Sequence, residues 1–156
     1  MKLSKVFLQK CIKRVEGRTK EDIINELVQI LIDAGRFKPA QKGNIVKAII
    51  ERERLGSTGV GEGIAIPHAK MSMVDDFYGA LGIVTEGVEW KSADGASVHF
   101  VFLFSSPEGR PQEHQALIKN IIQFVRLPNF NKFLHGAKNS KEVADLFREG
   151  ETQLGL

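Results

Sequence analysis

Val98-His99-Phe100-Val101-Phe102-Leu103-Phe104 is an apolar run that is hydrophobic at odd and even positions alike. Successive side chains of a strand point to opposite faces, so such a run has to be covered on both sides. A strand with helices on each face is the simplest solution, and it makes the chain a layered α/β sandwich. Phe100, Phe102 and Phe104 share one face of this strand and are expected in the core. Aromatics exposed on a sheet can stack bases, but no flanking Lys or Arg supports that use here.

The segments around the run supply the covering helices. Thr19 followed by Glu21 and Asp22 marks a helix start, and Ile23, Ile24, Leu27, Ile30 and Leu31 recur at helical spacing up to a stop at Gly35. A second helix is expected from Asn44 to Leu55, with Ile45, Val46, Ile49 and Ile50 on one face and Gly56 at its end. Phe77 to Val84 reads as another strand. Pro111 suits the first turn of a helix whose stripe is Ala116, Leu117, Ile121, Phe124 and Val125, with His114 in its first turn. Asn139 and Glu142 predict a capped final helix that stops at Gly150. With 156 residues and no linker or repeat, a single domain over 1–156 is expected, large enough to bury roughly 70% of its unfolded surface.

Composition narrows the function. The lone Cys11 cannot form an internal disulfide and reads as a small core residue, which suits a reducing, cytoplasmic setting. Neither a signal peptide nor a membrane span is read, so no membrane insertion is expected. A net charge of +3 with mixed signs does not suit a nucleic-acid binder. His99 and His135 lack the spacing of zinc ligands, and neither metal nor cofactor is expected.

The chemistry concentrates at Gly56-Ser57-Thr58-Gly59-Val60-Gly61-Glu62-Gly63-Ile64-Ala65-Ile66-Pro67-His68. Glycines at four of the first eight positions allow backbone N–H groups to approach an anion, so Ser57, Thr58, Gly59, Gly61 and Gly63 form a candidate phosphoryl loop. No lysine follows as in a nucleotide P-loop, and the helix–loop–strand order reverses that of a dinucleotide fingerprint. Pro67 lacks an N–H, so the strand from Ile64 is expected to stop there and leave His68 exposed at the sheet rim. A neutral imidazole is a nucleophile, and about three quarters of an unperturbed histidine is neutral at pH 7. Arg52 sits in a helix C-terminal turn, where the helix dipole favours any cation, and Arg54 shares that explanation.

Glu53, Val60-Gly61, Glu62 and Ile64-Ala65-Ile66-Pro67-His68-Ala69 together resemble the active-site signature of the fructose/nitrogen-type IIA proteins of the bacterial phosphoenolpyruvate phosphotransferase system. Ile50 to Gly59 is similar to that family's helix end and loop, and Pro111-Gln112-Glu113-His114-Gln115-Ala116-Leu117 to the helix carrying its second histidine. The resemblance runs from about Leu3 to Phe147 and is nearest to the nitrogen-regulatory branch. It implies a three-layer α/β/α sandwich around a mixed sheet of about five strands. His68 is then the phosphorylated nucleophile, His114 stabilises the phosphoryl group, and Arg52, in register with the family's arginine, contacts the phosphoryl group or a partner. Taken alone, a helix-end histidine such as His114 reads as solvated surface.

The same resemblance implies an HPr-like phosphocarrier as donor. Two roles then remain open: a phosphorylation-dependent regulator with its own target proteins, or a sugar-uptake component that passes phosphoryl to a IIB domain. No fused IIB or membrane IIC segment is read in the chain, and with the nearness to the nitrogen-regulatory branch this favours regulation. A phosphocarrier of this kind forms a phosphohistidine intermediate rather than turning over a small molecule.

Overall fold

The computed structural model describes residues 1–156. A short helix α1 (Leu3–Val6) leads into strand β1 (Phe7–Arg14), followed by helices α2 (Lys20–Asp33) and α3 (Lys42–Leu55). Three short strands come next, β2 (Gly59–Gly61), β3 (Ile64–Ala65) and β4 (His68–Met71), then two long ones, β5 (Tyr78–Val88) and β6 (Val98–Pro107). Helices α4 (Pro111–Val125), α5 (Phe130–Gly136) and α6 (Ser140–Leu154) complete the chain. None of the helices is long and apolar enough to cross a membrane.

The expected α/β sandwich is what forms, on a mixed sheet of six strands rather than about five. Its order is β1-β5-β6-β3-β2, with β4 also paired to β6. β6 is the central strand, antiparallel to β5 on one edge and parallel to β3 and β4 on the other. Val101 and Leu103 pack with the apolar stripes of α2 and α3, whereas Phe100, Phe102 and Phe104 pack with those of α4, α5 and α6. Both faces of β6 are therefore dry, as its uninterrupted hydrophobicity requires.

Three local expectations change. β1 has no counterpart in the sequence reading because its pairing with β5 shifts register between Phe7 and Ile12, which breaks the alternation of buried and exposed residues. The strand from Ile64 does end before Pro67, at Ala65, but pairing with β6 resumes beyond the proline as β4 instead of leaving the sheet. Ile64 and Ala65 face Phe100 and Val101, and beyond the proline His68 and Ala69 face Phe104 and Ser105 at the same offset. The Pro67 carbonyl still accepts from Phe104 N (3.1 Å), so the missing N–H removes one rung and leaves the register intact.

The third change concerns α6, which is capped at Asn139 as expected but passes through Gly150 to Leu154 and ends at Gly155 in the left-handed conformation (φ 73°). Gly150 is needed for packing: a Cβ there would lie 2.5 Å from Cδ2 of the buried Phe124 ring on α4. Gly150→Ala should therefore destabilise the protein by about 1–3 kcal/mol, the usual cost of an extra carbon in a filled core. A lowered urea midpoint with an unchanged slope is the expected result; an unchanged midpoint would show that the two helices separate freely.

Candidate functional site

β4 brings His68 to the edge of the sheet beside α3 and α4. His68 sits opposite Phe104, and its ring stacks on that phenyl at 5.3 Å between centroids and 13° between planes. It is 9% exposed rather than open at the rim, because pairing with β6 resumes past Pro67 as β4 and carries the ring under the first turn of α4. His114 lies in that turn, its N–H bonded to Arg110 O, and its ring meets the His68 ring edge-on at 5.0 Å. His114 is 2% exposed, so the solvated-surface alternative does not hold. The two histidines form the floor of a cleft of about 840 Å³ whose walls include Arg52 and Leu55 of α3, Lys70 of β4, and Gln115 and Ile118 of α4.

The hydrogen bonds assign the tautomers. His68 Nδ1 is 2.6 Å from Ile66 O, and a carbonyl only accepts, so Nδ1 carries the proton. In the neutral ring the lone pair is then on Nε2, which is the nucleophilic atom. His114 Nδ1 lies 2.5 Å from Ser106 Oγ. A hydroxyl can donate to Nδ1, and in that arrangement His114 Nε2 bears the hydrogen and can donate to an anion.

Both rings are held neutral. Burial lowers the His68 pKa below 6.5, and Arg52 adds to the effect while the Ile66 carbonyl opposes it. His114 is pushed down to about 4, first by burial and then by His68, Lys70 and Arg52.

The loop divides. Ser57 and Thr58 line the cleft, but Gly59, Gly61 and Gly63 do not. Thr58 N donates to Glu53 Oε1 (3.0 Å), Gly59 N to Ser57 Oγ (3.1 Å) and Glu62 N to Asp94 Oδ2 (2.9 Å), so the loop's donors are largely spent inside the protein. The glycines have conformational reasons instead. Gly61 and Gly63 bracket a β2–β3 turn at φ 92° and 79°, and a Cβ on Gly59 would collide with Ser92 Oγ. The expected cradle of glycine N–H groups is therefore not formed. Arg52 donates one N–H to Gly56 O (3.1 Å) at the cleft wall.

Ser106 and Lys70 are members of the site that the sequence reading missed. Each lies two residues beyond a recognised one, Phe104 and His68, on the same strand face. Period-2 counting past Phe104 and past Pro67 would have found both. His99 and His135 meet each other at 5.6 Å, with His99 Nδ1 on Val84 O.

A pH dependence follows from the two lowered pKa values. Below 6.5, and down to about 4 in the case of His114, the unfolded chain binds protons that the folded rings refuse, so stability is retained above 6.5 and falls as pH drops below it. Carbon-detected titration by NMR should place His114 near 4 and His68 below 6.5. A His114 midpoint near 6.5 would mean that its ring is solvated.

A family model described as "Phosphoenolpyruvate-dependent sugar phosphotransferase system, EIIA 2" matches residues 5–150. The fructose-specific EIIABC component of Bacillus subtilis is 33% identical over 96% of this chain, which spans 23% of that protein. The nitrogen regulatory protein of Pseudomonas aeruginosa is 30% identical over 83% of this chain and 82% of its own length. In fold, the nitrogen regulatory protein IIA-Ntr of Neisseria meningitidis superposes with a TM-score of 0.84 at 23% identity, covering 93% of this chain and 98% of the other. The IIA mannitol structure from Escherichia coli does so with a TM-score of 0.68 at 21% identity, covering 94% and 98%. With residues 5–150 matched and the histidine pair in the cleft, this chain belongs to the EIIA type 2 family of the phosphoenolpyruvate-dependent phosphotransferase system.

Proposed function

We propose that this chain is a phosphoryl carrier that uses His68 Nε2 as its acceptor atom and acts as a phosphorylation-dependent regulator. The observation that carries the reading is the pinned, neutral His68 ring beside His114 in an open cleft. The donor is a phosphohistidine on an HPr-like protein. His68 Nε2 attacks phosphorus, the P–N bond of the donor breaks, and the donor imidazole leaves with the bonding pair. The proton on His68 Nδ1 stays on its hydrogen bond to Ile66 O, so the step requires no separate base.

The transition state is loose, with charge on the peripheral phosphoryl oxygens. His114 Nε2–H serves as a donor to those oxygens, and Arg52 and Lys70 at the wall supply positive charge. Ser57 and Thr58 belong to the same wall. Phosphorylation adds oxygens that carry a charge near −2, offset in part by the proton kept on Nδ1, so a neutral ring becomes an anionic group at a cleft whose rim carries Leu55, 85% exposed. A target that binds one form better than the other is thereby switched.

The nitrogen regulatory proteins among the relatives support the regulatory role. The 33% identity to a fructose-specific component supports a second one, transfer to a IIB domain for sugar uptake. The two roles share the same chemistry at His68 and differ in what removes the phosphoryl group.

Incubation with phosphoenolpyruvate, enzyme I and an HPr-like donor should put an acid-labile phosphoramidate on His68, and His68→Ala should abolish it. Undiminished labelling of that variant excludes His68 as the acceptor. His114→Ala should slow transfer by roughly ten- to a thousandfold, the range for loss of one preorganised donor. Phosphorylated and unphosphorylated protein should recover different partners from the native cytosol. Flow of label to a IIB acceptor and a sugar, with no form-dependent partner, decides for sugar uptake.

A further inference from the structure

Behind His68 lies a chain of buried hydrogen bonds that reaches the far side of α3. We propose that Lys20, Glu53 and Thr58 are positioning residues that fix the His68 tautomer through Ile66. The proposal rests on the reading of His68 Nε2 as the phosphoryl acceptor.

Glu53 is in the last turn of α3 and 7% exposed. One carboxylate oxygen accepts from Thr58 N (3.0 Å) and from Lys20 Nζ (2.9 Å); the other accepts from Thr58 Oγ1 (2.5 Å). A carboxylate offers only acceptors, so it grips Thr58 by both of its donors. Thr58 Oγ1 also accepts from Trp90 Nε1 (3.2 Å), and Trp90 is fully buried. The hydroxyl is thus used as donor and acceptor, with no freedom to turn.

A clamped Thr58 has a fixed carbonyl, and that carbonyl accepts from Ile66 N (3.0 Å). Ile66 in turn presents its own carbonyl to His68 Nδ1 (2.6 Å). The Ile66 carbonyl belongs to the amide bonded to Pro67, whose ring locks the following φ, so its direction is set by the Thr58 contact on one side and by proline on the other. The path Lys20–Glu53–Thr58–Ile66–His68 therefore runs unbroken through groups that are buried or half-buried.

Its purpose is chemical. Without a fixed acceptor at Ile66, a share of His68 rings carries the proton on Nε2, and those rings cannot attack phosphorus. A ring free to tilt also loses alignment with the donor, which can cost about a hundredfold in rate. None of the three side chains needs to touch the phosphoryl group through its polar atoms, since those atoms face inward.

The test uses Thr58→Val, which keeps the shape and removes the hydroxyl, with Thr58→Ser as the conservative rescue and Lys20→Met at the half-buried end of the path. Nitrogen-15 NMR of His68 reads the tautomer directly, and single-turnover transfer from the phosphorylated HPr-like donor reads the rate. Thr58→Val should shift His68 toward the Nε2–H form and lower the maximal rate by roughly five- to a hundredfold with the donor's half-saturation unchanged. Thr58→Ser should restore both readouts, and Lys20→Met should move both in the direction of Thr58→Val. Where Thr58→Val fails to fold, Lys20→Met, which leaves the core untouched, carries the decision. A wild-type tautomer in the folded variants overturns the positioning role. Wild-type protein that takes no phosphoryl, with the tautomer still shifting in Thr58→Val, overturns the carrier reading and leaves the positioning role intact.

Discussion

β6 is the constraint on which the rest of the protein depends. It is buried on both faces and hydrogen-bonded on both edges, so every layer is referenced to it. Removing its side chains from water on both faces stabilises the sheet by about 25 cal/mol per Å² of apolar surface and draws helices to both sides. The functional site inherits that rigidity. His68 sits opposite Phe104 and stacks on it, and Ser106, two residues further on the same face, holds His114. One strand thereby sets the separation of two histidines that lie far apart in the chain.

The price of a rigid, apolar floor is paid in electrostatics, and it works in favour of the chemistry. Desolvation disfavours imidazolium at both positions, leaving His68 as a free base and His114 as a neutral donor near pH 7. A nucleophile that is already deprotonated needs no general base. The wall of the cleft supplies the positive charge that the floor withholds, through Arg52 and Lys70, neither of which is buried away from solvent. A phosphoryl group on His68 Nε2 would therefore meet cations at its oxygens and hydrocarbon beneath its ring.

The buried carboxylate of Glu53 shows how the fold keeps this arrangement in place. An uncompensated carboxylate in the interior would be strongly destabilising, but Lys20 and two donors from Thr58 satisfy it. Those contacts tie the end of α3 to the loop and, through backbone bonds, to the residue that orients His68. The glycines beside it serve the tight β2–β3 turn and the approach of Ser92, so the loop is a structural strap rather than a cradle.

The layer architecture and the capped ends at Thr19 and Asn139 were legible from residue type and periodicity, because alternation, helical stripes and N-cap chemistry are local properties; His68 stood out through its dense motif, whereas His114 was singled out only by the resemblance of its segment to a family. Arg52 was legible as a cation at a helix end, though not its place on the cleft wall. What local pattern could not give was anything set by pairing between distant segments. β1 is hidden by its register shift, and Gly150 looks like a helix stop until Phe124 of another helix is beside it. Pro67 looks like a strand end because its missing N–H is visible in the sequence, whereas the β6 partner that keeps the register beyond it is not. That single hidden pairing explains why His68 is buried rather than exposed and why Lys70 was overlooked; β6 running past Phe104 did the same for Ser106. Residue chemistry names the groups able to react, but burial and tautomer depend on which segments pack together, and that is a property of the whole fold.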